Sequence, residues 1–198
     1  MDKLLLFGLA AVIVNLIGYV PYIRGVLTGD VKPQRVTWGI WTILTTIAFV
    51  NQIVNGGGYS VLFFGSTVAL VGIVFVLSLF KGIGGASKFD RSVLVASALL
   101  FIVWIVLRES YYSTLFAVTI DAIGALPTLI KAYRQPETEM YLQWILAAFG
   151  GLLGMVALPK FAFILVVYPL YVVIMNSAIV LTKYLGELTQ LRAKVITE

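Results

Sequence analysis

The stretch NLIGYVPYIRGVLTGDVKPQRVTWGIWT, residues 15–42, has a counterpart in DAIGALPTLIKAYRQPETEMYLQWILAA, residues 121–148. The two stretches align without a gap, and the identical pairs are Ile17/Ile123, Gly18/Gly124, Pro21/Pro127 and Trp38/Trp144. A G-x-x-P inside an apolar segment, followed by Trp at the same distance, is not explained by composition alone. We therefore interpret 15–42 (the first copy) and 121–148 (the second copy) as an internal repeat.

The composition indicates an integral membrane protein. Of the 198 residues, 61% are hydrophobic and 12% are charged, and the mean hydropathy is +1.02. A soluble domain has roughly a quarter of its residues charged, about twice the share found here.

Several classes of chemistry are excluded by residues that the chain lacks. It has no cysteine and no histidine, which removes disulfides, thiol nucleophiles, Cys/His zinc sites and histidine general bases. We therefore predict no enzyme activity, no metal site and no cofactor. The net charge of +5 is not gathered into a basic run or face outside the apolar segments, so we predict no nucleic-acid partner.

Seven apolar segments are long enough to be transmembrane helices, which need about 20 residues. Glycine, proline and charged residues mark the breaks between them. The predicted spans are 4–26, 36–54, 59–80, 92–107, 111–132, 140–158 and 161–184.

The placement of lysine and arginine predicts the orientation of these seven spans. Lys3, Arg108 and Lys160 fall on one face of the membrane, and the other eleven of the fourteen basic residues fall on the opposite face. The positive-inside rule places the richer face in the cytoplasm. We therefore expect the N-terminus outside and the C-terminus inside, in the cytoplasmic membrane of a bacterium or an archaeon.

The repeat covers helices one to three and five to seven. Because three is an odd number, copies joined directly would be inverted, and the fourth helix makes the two bundles parallel. The predicted fold is an all-α membrane protein with two parallel three-helix bundles in a 3-1-3 order. Its predicted parts are a first bundle (1–81), a linker loop and fourth helix (82–109), a second bundle (110–185) and a cytoplasmic tail (186–198).

This architecture resembles the SWEET, SemiSWEET and PQ-loop transporter superfamily over essentially the whole chain. The family motif is G-x-x-P-Q in the first helix of each bundle, and its proline falls at Pro21 and Pro127, followed by Tyr22 and Thr128. A literal Pro33-Gln34 pair lies further along, in the predicted cytoplasmic loop. The resemblance implies a facilitator or proton-coupled transporter that moves a small polar solute, such as a sugar, by alternating access.

The family's sugar-transporting members share a tryptophan late in the second helix and an asparagine in the third helix of each bundle. At those places this chain offers Asn51, Ser66 and Thr67, with Asn176 further along the last helix. The fold inference is independent of these positions, but a sugar substrate does not follow. Proton-linked amino-acid or amine transport and vitamin-nucleoside transport remain alternatives.

Asp121 lies near the middle of the fifth span, where a charge costs several kcal/mol unless it is neutral, paired or facing a wet cavity. Its counterpart in the first copy is Asn15. If both face the axis between the bundles, they form an Asn/Asp pair for substrate binding or proton coupling. The alternative is that Asp121 is a structural hydrogen-bonding residue between helices. The candidate substrate-binding or coupling residues are Asn15, Asp121, Asn51, Ser66, Thr67 and Asn176.

Candidate hinge and gate residues also come from the repeat. A proline inside a helix removes a backbone hydrogen bond and kinks the chain, so Pro21 and Pro127 are candidate hinges. Trp38, Trp144 and Tyr22 lie near the predicted cytoplasmic ends of the helices. They form either a cytoplasmic gate or part of the interfacial aromatic belt that membrane proteins carry.

Other classes of protein fit less well. A retinal photoreceptor needs a lysine in the middle of its last helix, whereas Lys160 and Lys183 lie at the two ends of that helix. A seven-helix receptor without transport activity remains an alternative. The expected partners are a small polar solute, protons and the lipid bilayer. Two bundles suffice for one pathway, so a monomer is sufficient and a homo-oligomer is also compatible.

Overall fold

A computed structural model describes residues 2–107 and 110–197, without the side chains of 103–107, 110–113, 194, 196 and 197. Within these ranges the chain forms seven α-helices, one 3-10 turn at Pro136–Thr138 and no β-strand. The helices are α1 (Lys3–Thr28), α2 (Arg35–Val54), α3 (Ser60–Lys81), α4 (Lys88–Leu107), α5 (Ser110–Arg134), α6 (Tyr141–Val156) and α7 (Phe163–Thr197).

Five of these helices are long and apolar enough to cross a membrane: α1, α2, α3, α5 and α7. At 16 residues α6 is shorter and rises about 24 Å, less than the roughly 30 Å of a bilayer core. Large apolar side chains lie exposed around the helices, among them Val20 and Phe80, at 59% and 78%. These features indicate an integral membrane protein, and seven helices are confirmed.

The two sets of three helices, α1–α3 (the first triplet) and α5–α7 (the second triplet), have the same internal packing. In the first triplet α3 packs against both α1 and α2, and in the second α7 packs against both α5 and α6. The triplets meet where α1 packs on α6 and α2 packs on α5, while α4 lies mainly against α5.

The repeated glycines lie at these contacts between triplets. A Cβ added at Gly18 on α1 would lie 2.9 Å from the Gln143 side chain on α6, and one added at Gly124 on α5 would lie 2.7 Å from Ile40 on α2. Both positions therefore need glycine for the helices to approach this closely. The G-x-x-P motif thus supplies an equivalent packing surface to each triplet.

The helices define two ends of the molecule. The charged end carries the segments 29–34, 82–87 and 135–140, which join α1 to α2, α3 to α4 and α5 to α6. The opposite end carries 55–59 and 157–162, which join α2 to α3 and α6 to α7. The last helix continues past residue 185 to Thr197, so the predicted tail is helical as far as the structure describes it.

Candidate functional site

A small cavity of about 50 Å³ lies where every helix except α4 converges. Since one buried water needs roughly 10–15 Å³, this space holds a few waters at most. Its polar and aromatic walls come from both triplets: Asn15, Tyr19, Trp41, Thr45, Thr67, Asp121, Trp144, Tyr168, Tyr171 and Asn176. None of the described residues that line it is a lysine or an arginine.

Asn15 is held by the third helix of its own triplet. Its side-chain nitrogen donates to Ser66 Oγ at 3.0 Å and to Thr67 Oγ1 at 2.9 Å. Both hydroxyls in turn donate to the backbone carbonyl of Phe63. The two amide hydrogens of Asn15 are therefore both used, and this position requires a donor.

Asp121 accepts hydrogen bonds, whereas Asn15 donates them. Tyr168 donates to one carboxylate oxygen at 2.5 Å and Tyr171 to the other at 2.9 Å. The indole of Trp41 approaches the same carboxyl group. Asp121 is 3% exposed, and within the described chain no lysine or arginine lies at ion-pair distance from it.

The structure brings four of the six predicted binding residues to this cavity: Asn15, Thr67, Asp121 and Asn176. Ser66 lies behind them as a partner of Asn15. Asn51 does not reach the cavity but lies in a separate opening described below. The role of all six in binding or coupling remains a prediction.

The sequence did not single out the aromatic partners of Asp121. Tyr168 and Tyr171 are spaced i, i+3 on α7, so they share one helix face. Two tyrosines at this spacing within an apolar helix are a signal that could have been used.

A larger opening of about 430 Å³, the vestibule, lies toward the opposite end between α2 and the first turns of α5. It reaches the surface at Val50 and Val54, which are 51% and 76% exposed. Among the described residues its polar lining is uncharged and includes Thr46, Asn51, Gln52, Asn55 and Thr114. Tyr168 lines both the vestibule and the central cavity, so this side chain forms part of the wall between them.

A cluster of four aromatic residues, the aromatic plug, closes the cavity toward the charged end. Trp38 and Trp144, the repeated tryptophans, have ring centroids 6.0 Å apart. Tyr22 packs on both of them at 5.5 and 5.9 Å, and Trp41 at 5.5 and 5.8 Å. All four are at most 8% exposed, so Tyr22, Trp38 and Trp144 pack inside the protein, and a gate role for them remains a prediction.

A buried ion pair lies beyond the plug. Lys131 Nζ is 2.5 Å from Glu139, and both side chains are at most 5% exposed. Lys131 also donates to the Lys32 carbonyl at 2.6 Å, and Glu139 accepts from the Trp144 indole at 3.0 Å. With the backbone bond from Lys32 to Thr138, these contacts tie the α1–α2 loop to the α5–α6 connection.

The Pro33-Gln34 pair has a structural role that the sequence did not reveal. Gln34 caps α2 by accepting from the backbone N–H of Thr37 at 3.0 Å. Its amide also donates to Asp90 Oδ1 at 2.8 Å. Gln34 therefore fastens the start of α2 to the start of α4.

The two candidate hinge prolines lie inside continuous helices, Pro21 in α1 and Pro127 in α5. Pro21 follows Asn15 along α1 and Pro127 follows Asp121 along α5, and both helices run toward the charged end. This places both between the central cavity and the charged end. A hinge role for them remains a prediction.

Comparisons with protein-family models, with characterised proteins and with solved structures gave no match. The resemblance to the SWEET, SemiSWEET and PQ-loop superfamily therefore remains an interpretation of the sequence. The geometry of the cavities, the plug and the buried charges carries the functional argument.

Proposed function

We propose that this protein is a membrane transporter that moves a small polar solute by alternating access between two three-helix bundles, α1–α3 and α5–α7, with α4 as the linker. The observation that carries the proposal is the unequal closure of the central cavity. Toward the charged end it is closed by four packed rings and an ion pair. Toward the opposite end the cavity and the vestibule meet at Tyr168, whose side chain lines both of them.

The packing of the two triplets supports this mechanism. Each triplet places its third helix between the other two, and the contacts that join the triplets run through α1 with α6 and α2 with α5. The cavity lies between them, so a rocking motion would widen one end while it narrows the other. The repeated prolines are positioned to absorb such a motion.

In the proposed cycle, a solute enters through the vestibule and displaces Tyr168 from its place between the two cavities. The charged end then opens as Lys131 and Glu139 leave the Lys32 loop and the tryptophans separate. With the positive-inside orientation, the vestibule faces outward and the charged end faces the cytoplasm. Asp121 binds the solute or a coupled proton.

The cysteine-free chain permits a direct test of this cycle. The backbone bond from Lys32 N to Thr138 O, 3.2 Å long, brings two residues of different triplets within reach of a disulfide, which needs Cα atoms about 4.4–6.8 Å apart. The double variant Lys32→Cys/Thr138→Cys would be reconstituted in liposomes. Uptake of a transported solute is expected to stop on oxidation and return on reduction.

Each single-cysteine variant, treated with the same oxidant, is the matched control and is expected to keep its activity. Because the native chain has no cysteine, an effect of the oxidant that appears in the double variant and in neither single-cysteine variant comes from the new bond. Full uptake by the oxidised, cross-linked protein would contradict opening at the charged end.

A further inference from the structure

We infer that the solute is an organic cation, such as a quaternary or tertiary ammonium compound, bound between the aromatic walls of the central cavity and the Asp121 carboxylate. The inference rests on the proposed function and names the substrate class of the same site. It depends on three features of the cavity: its aromatic rings, the charge of Asp121, and the two tyrosines that now donate to Asp121.

Five tyrosine and tryptophan rings line the cavity: Tyr19, Trp41, Trp144, Tyr168 and Tyr171. They are inclined to one another rather than stacked, at 69° between Trp41 and Trp144 and 53° between Tyr168 and Tyr171. Rings at such angles form the sides of a cage. Aromatic cages of this kind recognise quaternary ammonium groups, because the negative face of each ring attracts a cation.

The charge balance of the cavity favours a cation. Asp121 is the charged residue among the described lining residues, and no lysine or arginine accompanies it. An anion would be repelled, and the carboxylate of an amino acid would find no cationic partner. A neutral sugar could form hydrogen bonds and stack on the rings, but it would gain nothing from the carboxylate charge. The described residues of the vestibule lining likewise include no lysine or arginine.

The present partners of Asp121 indicate how a cation would be admitted. The hydroxyls of Tyr168 and Tyr171 donate to the two carboxylate oxygens, so they occupy the position that an ammonium group would take. At about 50 Å³ the cavity must widen to accept such a solute. Displacement of Tyr168 by the cation would both free the carboxylate and open the wall toward the vestibule.

The first experiment compares pairs of compounds that have the same shape and different charge. Thermal unfolding of the purified protein in detergent is followed with choline and with dimethylbutanol, in which carbon replaces the charged nitrogen. Tetramethylammonium, betaine and glucose complete the series. A ligand that binds the folded state raises its apparent stability. Choline and tetramethylammonium are expected to raise the melting temperature, and the other three compounds are not.

Two kinds of variant test the two parts of the site. Trp41→Phe keeps a ring and Trp41→Leu removes it, so choline affinity should fall about ten- to thirtyfold more in the leucine variant. Asp121→Asn removes the charge with little change of volume and is expected to abolish choline binding and uptake. Asp30→Asn, in the exposed loop after α1, is the matched control and should bind choline as the native protein does.

Equal stabilisation by choline and dimethylbutanol, or equal choline affinity in Trp41→Phe and Trp41→Leu, would overturn the inference. So would native-like choline binding by a folded Asp121→Asn protein. Stabilisation and uptake of glucose without any response to cations would overturn the substrate class and leave the transporter in place. Absence of uptake of every solute in reconstituted liposomes would overturn the proposed function itself.

Discussion

The first copy (15–42) runs from α1 into α2, the second copy (121–148) runs from α5 into α6, and the two differ in what they bury. The second copy buries three charged side chains: Asp121, Lys131 and Glu139. The first copy buries only uncharged polar groups, among them Asn15, Gln34 and Thr37. The counterparts of Lys131 and Glu139 in the first copy are Gly25 and Pro33, which cannot form an ion pair.

The residues that are identical in the two copies contribute to packing and not to buried charge. Gly18 and Gly124 permit the close contacts between triplets, and Trp38 and Trp144 pack on each other in the plug. The shared residues therefore lie at contacts between the triplets. Of the two copies, only the second buries charged side chains.

The largest expected effect comes from the ion pair of the second copy. Lys131→Met keeps an unbranched side chain and leaves Glu139 buried without its cation. Removing one partner of a buried ion pair destabilises a protein by about 3–5 kcal/mol. The loss would be measured as the change in unfolding free energy in detergent, followed by tryptophan fluorescence.

The matched control lies in the first copy. Arg24 is exposed, and Arg24→Met is expected to change stability by at most about 0.5 kcal/mol. Adding Glu139→Gln to Lys131→Met should recover part of the loss, because the amide oxygen still accepts from Trp144. If Lys131→Met and Arg24→Met lowered the unfolding free energy equally, the difference in buried charge between the copies would not contribute to stability.

Exchanging the polar residues of the two copies should give a smaller and unequal effect. Asn15→Asp removes both donors that hold Ser66 and Thr67, whose own hydrogens already go to the Phe63 carbonyl. Both hydroxyls are partly buried, and leaving such groups unpaired costs about 1–3 kcal/mol. In Asp121→Asn the amide oxygen can accept from one tyrosine while the amide nitrogen donates to the other.

We therefore expect Asn15→Asp to lower the unfolding free energy and Asp121→Asn to change it by less than about 1 kcal/mol. Both variants would be measured by the same unfolding assay as Lys131→Met. Equal losses in the two variants would show that the opposite hydrogen-bond directions at Asn15 and Asp121 are not what distinguishes the copies.

Much of the fold was accessible from the sequence. Hydrophobic length predicted seven helices to within a few residues at most ends, because the period and length of an apolar helix are local properties. The repeat predicted that Trp38 and Trp144 are equivalent and that Asn15 and Asp121 lie at similar depth. These four residues do line the central cavity or the plug.

The hydrogen-bond partners of the site residues could not be predicted from the sequence. Tyr168 reaches Asp121 across 47 positions, and Gln34 reaches Asp90 across 56. Which faces of α5 and α7 meet depends on the rotation of each helix about its axis, and packing sets that rotation. The location of Asn51 was also not predictable from its residue type. Its polarity suggested that it lines the central cavity, but its position along α2 places it in the vestibule.

The smallest expected effect concerns the start of α2, where the first copy has a cap that the second copy lacks. Gln34 caps α2 through its side chain, whereas Met140, at the equivalent start of α6, makes no side-chain cap. Gln34→Ala is expected to cost about 1 kcal/mol and to speed hydrogen exchange of the first amides of α2 about fivefold. Exchange would be measured by mass spectrometry on peptides that cover 34–40.

Gln34→Glu separates the two roles of this residue. Its carboxylate still accepts from Thr37 N and so keeps the cap, but it faces Asp90 instead of donating to it. Exchange at the start of α2 should then stay slow, while exchange at the start of α4 becomes faster. Fast exchange at both places in Gln34→Glu would show that the cap depends on the contact with Asp90. Gln34 would then act as a single tie between two helices rather than as an independent cap.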